Sequence, residues 1–240
     1  MKKYKCLNNQ SFNIEIFKII PIRNIDKYKI MNWRNDQLYH LRQLNLLTKN
    51  QQDLYFETTI QKLFENPHPD QILFSYLNDD ECIGYGGLVH INWIDKNAEI
   101  SFVLDTKLEE KYFKYHWSKF LKLIEKVAFE ELFFKKIYTY AFDLRPKLYE
   151  VLESNNYVKE ATLKSHCFFN EKYIDVVIHS KLNNYSLVIA KKENIKLYFD
   201  WVNEKNVRSN SLKSKLIEWD EHSDWFNNKL KNEKRIKKKF

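Results

Sequence analysis

Apolar positions along this chain either alternate or recur at helical spacing, and their order predicts a mixed fold. Ile14 to Ile22 reads as an opening strand closed by Pro21. From Ile25 to Tyr39, Ile25, Tyr28, Ile30, Met31 and Leu38 fall at helical spacing. A second helix is predicted from Lys49 to Phe64, with Thr48 as its N-cap. Asn66-Pro67-His68-Pro69-Asp70 breaks the pattern. Gln71 to Leu77, Cys82 to Trp93 and Ala98 to Leu104 then read as three strands of an antiparallel meander. Asp105 to Tyr115 reads as a connector. From Trp117 to Leu132, residues Phe120, Leu121, Ile124, Val127, Ala128 and Leu132 share one helical face. Lys136 to Phe142 is a further strand and Pro146 to Ser154 a short helix. Cys167 to Phe169 and Tyr173 to Ser180 make a closing hairpin. The predicted class is α+β: a mixed, mostly antiparallel central sheet flanked by helices.

The last quarter restarts the pattern. Met31-Asn32-Trp33-Arg34-Asn35-Asp36 recurs as Phe199-Asp200-Trp201-Val202-Asn203-Glu204. Leu54-Tyr55-Phe56 recurs as Asp224-Trp225-Phe226, shifted by two further residues. Tyr185 to Ala190 reads as a second opening strand. The expected organisation is one domain over 1–183 and an incomplete second module over 184–240, ending in a lysine-rich run. One strand and two helices bury little apolar surface, so a compact independent fold is not expected of this second part.

Composition sharpens the picture only in places. Apolar residues at 44% and aromatic residues at 16% exclude a disordered chain. Three glycines in 240 residues exclude Gly-rich classes. The net charge of +8 is concentrated at the end, since Lys231 to Phe240 alone contributes +5. Lysine outnumbers arginine 34 to 6 alongside abundant Asn, Ile, Tyr and Phe, a bias that AT-rich codons produce. No nucleic-acid partner is therefore needed to account for the charge. Cys6, Cys82 and Cys167 form no CxxC pair, and neither HExxH nor a P-loop occurs, so no metal site is expected. No apolar run approaches membrane-spanning length, and Glu15 and Lys18 interrupt the N-terminal one. A cytoplasmic protein without membrane contact is expected.

Three segments carry a family resemblance. They are Cys82-Ile83-Gly84-Tyr85-Gly86-Gly87-Leu88, Ala98-Glu99-Ile100-Ser101-Phe102, and Val151-Leu152-Glu153-Ser154-Asn155-Asn156-Tyr157. With Asn170 to Leu182 they resemble the GNAT superfamily of CoA-dependent N-acetyltransferases. The branch resembled contains ribosomal-protein N-terminal and amino-sugar acetyltransferases. The likeness covers about residues 12 to 182, and the second copy resembles the opening of an amino-sugar acetyltransferase.

The resemblance implies acyl transfer from acetyl-CoA to a primary amine on a small molecule or a peptide. An amino-sugar nucleotide of a surface glycan pathway is the leading acceptor and a protein N-terminal amine the rival. It further implies that Phe102, Val103 and Leu104 hold the pantetheine arm on a splayed strand. The diphosphate would sit at a helix beginning near Tyr115 or His116. The family's Gln/Arg-x-x-Gly-x-Gly/Ala turn corresponds here to Glu109-Glu110-Lys111-Tyr112-Phe113-Lys114, where none of the three defining residues is present. Lys111 and Lys114 are then the candidate phosphate partners. Were that turn unable to bind CoA, the domain would act as a non-catalytic binding or assembly module. Glu99 is the candidate general base, with His90 and His166 as alternatives. Tyr149 is the candidate general acid, although Leu152 takes the family's usual Tyr position. Trp33 and Arg34 are candidate walls of the acceptor site. Gly84, Gly86 and Gly87 sit inside a strand, where a bulge or a close strand contact explains them better than a dinucleotide turn. The oligomeric state stays open between monomer and homo-oligomer.

Overall fold

A computed structural model describes residues 2–41, 43–183, 190–211 and 214–231. The chain forms two compact units, Met1–Asn184 and Tyr185–Phe240.

The first unit is built on one eight-stranded sheet. Its strands are β1 (Phe12–Ile14), β2 (Phe17–Pro21), β3 (Ile72–Asn78), β4 (Glu81–Asn92), β5 (Asn97–Leu104), β6 (Lys136–Phe142), β7 (Val158–Phe169) and β8 (Lys172–Leu182). They lie in the order β1-β2-β3-β4-β5-β6-β8-β7. Every neighbouring pair is antiparallel except β5 and β6. This is the mixed, mostly antiparallel sheet that the sequence pattern predicts. The helices are α1 (Lys27–Asp36), α2 (Lys49–Leu54), α3 (Gln61–Glu65), α4 (Thr106–Glu125) and α5 (Pro146–Ser154). A π-helical stretch, Tyr55–Ile60, joins α2 to α3, and a second one, Lys126–Glu131, prolongs α4.

Local chemistry sets most boundaries. Thr48 caps α2 through a reciprocal box with Gln51, as its position before the apolar run predicts. Pro146 opens α5, where its missing N–H costs nothing. The core is aromatic: Phe102 of β5 stacks on Phe120 of α4 at 3.9 Å between ring centres. The glycines of β4 permit close strand packing. A Cβ on Gly87 would lie 1.9 Å from the Ile72 carbonyl oxygen, and one on Gly86 2.2 Å from that of Ser101. None of the three has positive φ, so close approach is their reason.

Three readings need correction. The opening strand is two short strands around a turn in which Glu15 takes φ 54°. The closing hairpin is longer than its apolar pattern, because β7 begins at Val158 with mostly exposed side chains. The largest correction concerns 105–115, which is not a connector. Helix α4 starts at Thr106, capped by Asp105, whose Oδ1 accepts from the Lys107 N–H at 2.9 Å. The segment lacks Gly and Pro and is rich in helix formers, so a capped helical turn forms where a connector was expected. The helix kinks at Tyr112 (φ −129°, ψ 27°).

The second unit contains α6 (Ile195–Val202), α7 (Lys205–Ser209) and α8 (Trp219–Leu230). Its compactness runs against the expectation from size. An aromatic cluster of Tyr198, Phe199, Trp219, His222 and Phe226 supplies its core. The proposed strand at 185–190 lies, but for Ala190, outside the described residues, as does 232–240.

The two helical hairpins share a detailed device. In the first unit Asn35 clips Leu47, accepting from its N–H at 2.8 Å and donating to its carbonyl at 3.0 Å. In the second, Asn203 clips Ile217 in the same way at 2.9 and 3.0 Å. Gln52 N–H to the Thr48 carbonyl and His222 N–H to the Glu218 carbonyl are likewise equivalent, both at 3.0 Å.

Candidate functional site

The parallel pair β5 and β6 holds together for only three rungs: Asn97–Lys136, Ala98–Ile137 and Glu99–Tyr138. Beyond them β5 stays on β4 as far as Leu104, and β6 stays on β8 as far as Phe142. The sheet therefore splits into a wedge starting at Ile100 and Thr139. A cavity of about 240 Å³ fills the wedge, lined among others by Arg34, Glu99, Ser101, Phe102, Thr139 and Arg145.

At the closed end of the wedge, Glu99 faces His90. The β4–β5 register breaks between Val89 and Asn92, and His90 there adopts φ 47°. A non-glycine residue in this region is strained, and the surrounding strands hold it there. The result brings the His90 Nδ1 within 2.8 Å of Glu99 Oε2. Glu99 is largely buried while His90 is open to solvent. A donating Nδ1–H leaves the His90 Nε2 with a free lone pair. Thr139 is also placed here, and its buried hydroxyl has no protein partner.

At the open end lies a buried polar chain. Arg145, just before α5, donates to Glu109 Oε1 at 2.6 Å and to His40 Nδ1 at 3.0 Å. Guanidinium can only donate, so His40 Nδ1 accepts and its Nε2–H donates to Gln37 Oε1 at 3.1 Å. Gln37 Nε2 in turn donates to the Leu104 carbonyl at 2.7 Å. Burial, together with the Arg145 charge, pushes His40 down to about 3, so its ring stays neutral. Lys147 Nζ is 3.4 Å from Glu109 Oε1 and lies 4.2 Å from the centre of the Phe113 ring.

A second cavity of about 240 Å³ lies beside the first, and Arg34 lines both. Gln51, Gln52, Tyr55, Phe56 and Tyr85 also line it. Arg34 donates to the Tyr85 hydroxyl at 2.7 Å and to Gln43 at 2.9 Å.

The residues singled out from sequence are thus only partly brought together. Glu99, Phe102 and Arg34 line the wedge cavity. Val103 and Leu104 are buried in β5, where the Leu104 carbonyl is taken by Gln37. Trp33 is buried, and its Nε1 donates to Asp105 at 2.9 Å, tying α1 to the cap of α4. Lys111 and Lys114 are exposed on α4 and line no part of the cavity. Tyr149 does not line it either: its hydroxyl donates to Asp143 Oδ1 at 3.0 Å, and its ring stacks on His179. Sequence reasoning missed His40, Thr139 and Arg145, and it named Glu109 only as part of the altered phosphate turn. Arg145 could have been noticed as one of six arginines, set immediately before a helix-starting proline.

Among the described residues no helix is long and apolar enough to cross a membrane, and no cluster of His, Cys, Asp and Glu could hold a metal ion. Comparison with known proteins gives a consistent picture. A family model described as acetyltransferase (GNAT) domain matches residues 19–178. No curated protein sequence matches. Among solved structures, the spermidine N-acetyltransferase of Vibrio cholerae in complex with CoA and spermine is similar at a TM-score of 0.62 and 19% identity. That match covers 70% of this chain and 96% of the other. A dodecameric form of the spermidine N-acetyltransferase from Vibrio cholerae gives a TM-score of 0.58 at 20% identity, over 70% and 94% of the two chains. A structure described as a putative acetyltransferase gives 0.58 at 15% identity, over 73% and 87%.

Proposed function

The chain belongs to the GNAT acetyltransferase family, with acetyl-CoA as cosubstrate, and from that premise we propose that it acetylates the primary amine of an anionic or hydroxyl-rich acceptor, an amino-sugar nucleotide in the first instance. The observation carrying the proposal is a pair of cavities, one of them at the β5–β6 split, that share Arg34 in their walls.

The wedge fits a pantetheine arm. The two strands form no rung with each other beyond Glu99–Tyr138, and Phe102, Ser101 and Thr139 line the gap. Acetyl-CoA supplies the acyl group as an activated thioester. The chain's own work is to bring the amine in neutral form and to take its proton as nitrogen bonds to the acyl carbon and the C–S bond breaks. Glu99 and His90 act as one unit in this: Glu99 holds the Nδ1–H, and Nε2 receives the proton. A positioned base of this kind contributes about 10²- to 10⁴-fold.

Acceptor class follows from the lining. The second cavity holds one arginine, two glutamines, two tyrosines and no carboxylate. Such walls suit a hydroxyl-bearing ring and an anionic group rather than a polycation. This favours an amino-sugar nucleotide over a polyamine, the acceptor class in the name of the Vibrio cholerae enzymes. A peptide N-terminus is the second choice, and assembly into a homo-oligomer stands as part of the proposal. Thiol release from acetyl-CoA, followed with a UDP-linked amino sugar, spermidine and a short peptide, tests the reading. Preference for the nucleotide sugar by about tenfold or more in kcat/KM is expected. Preference for spermidine would overturn the acceptor class. No thiol release with any amine, and no heat on titrating acetyl-CoA, would return the domain to the non-catalytic alternative.

A further inference from the structure

The lysines expected to meet the CoA diphosphate point to solvent, so its charge must be answered elsewhere. We propose that Arg145 and Lys147, at the start of α5, form the diphosphate seat, and that the Glu109 carboxylate fills this seat as an internal stand-in that the nucleotide displaces. The inference rests on the CoA reading of the wedge.

Four observations carry it. Arg145 lines the cavity at its open end, with Phe142 and Leu148 from the strand and helix it joins. The Arg145–Glu109 pair is nearly sealed from water, with side chains only 8% and 4% exposed. Burying two charges is costly unless every donor and acceptor is used. Here Arg145 Nε and Glu109 Oε2 both lack a partner. The cluster therefore has unused capacity on both signs, and a diphosphate offers more acceptor oxygens than one carboxylate.

The third observation is the neighbourhood of Lys147. Its ammonium approaches the same Glu109 oxygen at 3.4 Å while its side chain is 46% exposed. Like Glu109, it stands just outside the cavity lining, and from this half-exposed position it can exchange its contact with Glu109 for one with a new anion. The fourth is the break at Tyr112, three residues beyond Glu109, where the backbone leaves helical geometry. Thr106 to Lys111 is thus a separate helical turn, held to α5 by Glu109 and to α1 by Gln37 and Asp36. This turn has no glycine to bring its backbone close to a ligand, and the side chains of Arg145 and Lys147 lie against it.

Calorimetric titration of CoA into the full chain tests this. Glu109→Gln removes the competing charge and should bind CoA about five- to twentyfold more tightly than the parent. Lys147→Glu, a change at a half-exposed site whose fold is checked by circular dichroism beforehand, should weaken binding by about tenfold or more. Lys111→Glu/Lys114→Glu should change it by less than about twofold. Hydrogen exchange gives a readout free of catalysis: amides of 106–111 should lose protection when CoA is added to the parent chain. If the parent binds CoA while Glu109→Gln and Lys147→Glu leave the affinity unchanged, the seat is wrong and the CoA reading survives. If neither the parent nor Glu109→Gln binds CoA, both fall together.

Discussion

Glu99 lies on the last rung before β5 and β6 part, and His90 reaches it only because β4 slips register and takes a left-handed step. Glu99→Ala removes the acceptor that orients the ring, so kcat should fall by about 10²-fold or more while the dissociation constant for acetyl-CoA stays within about twofold. Single-turnover acetylation beside a CoA titration separates the two effects. His40 illustrates a different residue-scale consequence. Its ordinary value is 6.5, and burial beside Arg145 holds it near 3 in the folded chain. Between those values the unfolded chain binds a proton that the folded chain refuses. The stability from keeping this ring neutral is complete above about pH 6.5 and drains away as pH falls toward 3, at up to about 1.4 kcal/mol per pH unit. His40→Asn keeps an acceptor for Arg145 and a donor for Gln37 without a titrating ring. Urea unfolding at pH 7 and pH 5 should show a smaller loss for His40→Asn than for the parent, and equal losses would contradict this assignment. Glu99 and Arg34 were singled out through the family resemblance alone, and both line the wedge cavity. The partners of Arg145 were not, because Glu109 is 36 and His40 105 residues away.

At the scale of elements, the meander, the α2 cap and the Pro146 start were legible because each is set by residues within a few positions. The splayed strand came only from the family resemblance, and its partner β6 was not legible locally, since the three rungs join strands separated by the whole of α4. The α4 start is written in the sequence as Asp105-Thr106 before a glycine-free run. Gly84, Gly86 and Gly87 connect element packing to the site, since β5 lies against β4 along the wedge. Gly87→Ala would place a methyl 1.9 Å from Ile72 O and 2.9 Å from its carbonyl carbon, both backbone atoms that move only with the strand. Gly84→Ala meets its nearest atom at 2.9 Å. Overpacking of this kind costs about 1–3 kcal/mol, with Gly87→Ala at the upper end or beyond and Gly84→Ala at the lower. Urea midpoints at constant m-value measure the order, and a reversed order would mean that β3 yields more easily than β5.

At the scale of the whole molecule, the recurrence of the Asn clip argues that the helical hairpin of the second unit repeats that of the first, and we offer duplication as its origin. The clip spans 12 residues in the first hairpin and 14 in the second, the same two-residue shift that separates the aromatic motifs. A pattern shared in sequence and in hydrogen bonding is hard to obtain from two unrelated Trp-bearing helices. The copies differ in what covers them. Trp33 is buried and bonded to Asp105, whereas its counterpart Trp201 is 52% exposed. Of the second unit's aromatic side chains, Phe226 and His222 are buried, so its apolar stabilisation is small beside that of the first unit. Scanning calorimetry of the full chain should therefore resolve two transitions. Phe226→Ala should lower or abolish the first, since removing a buried Phe costs about 3–5 kcal/mol. Acetyl-CoA at about 100 times its dissociation constant should stabilise only the second, by about 2.7 kcal/mol. A single transition that both Phe226→Ala and acetyl-CoA shift would show the units to be one cooperative body.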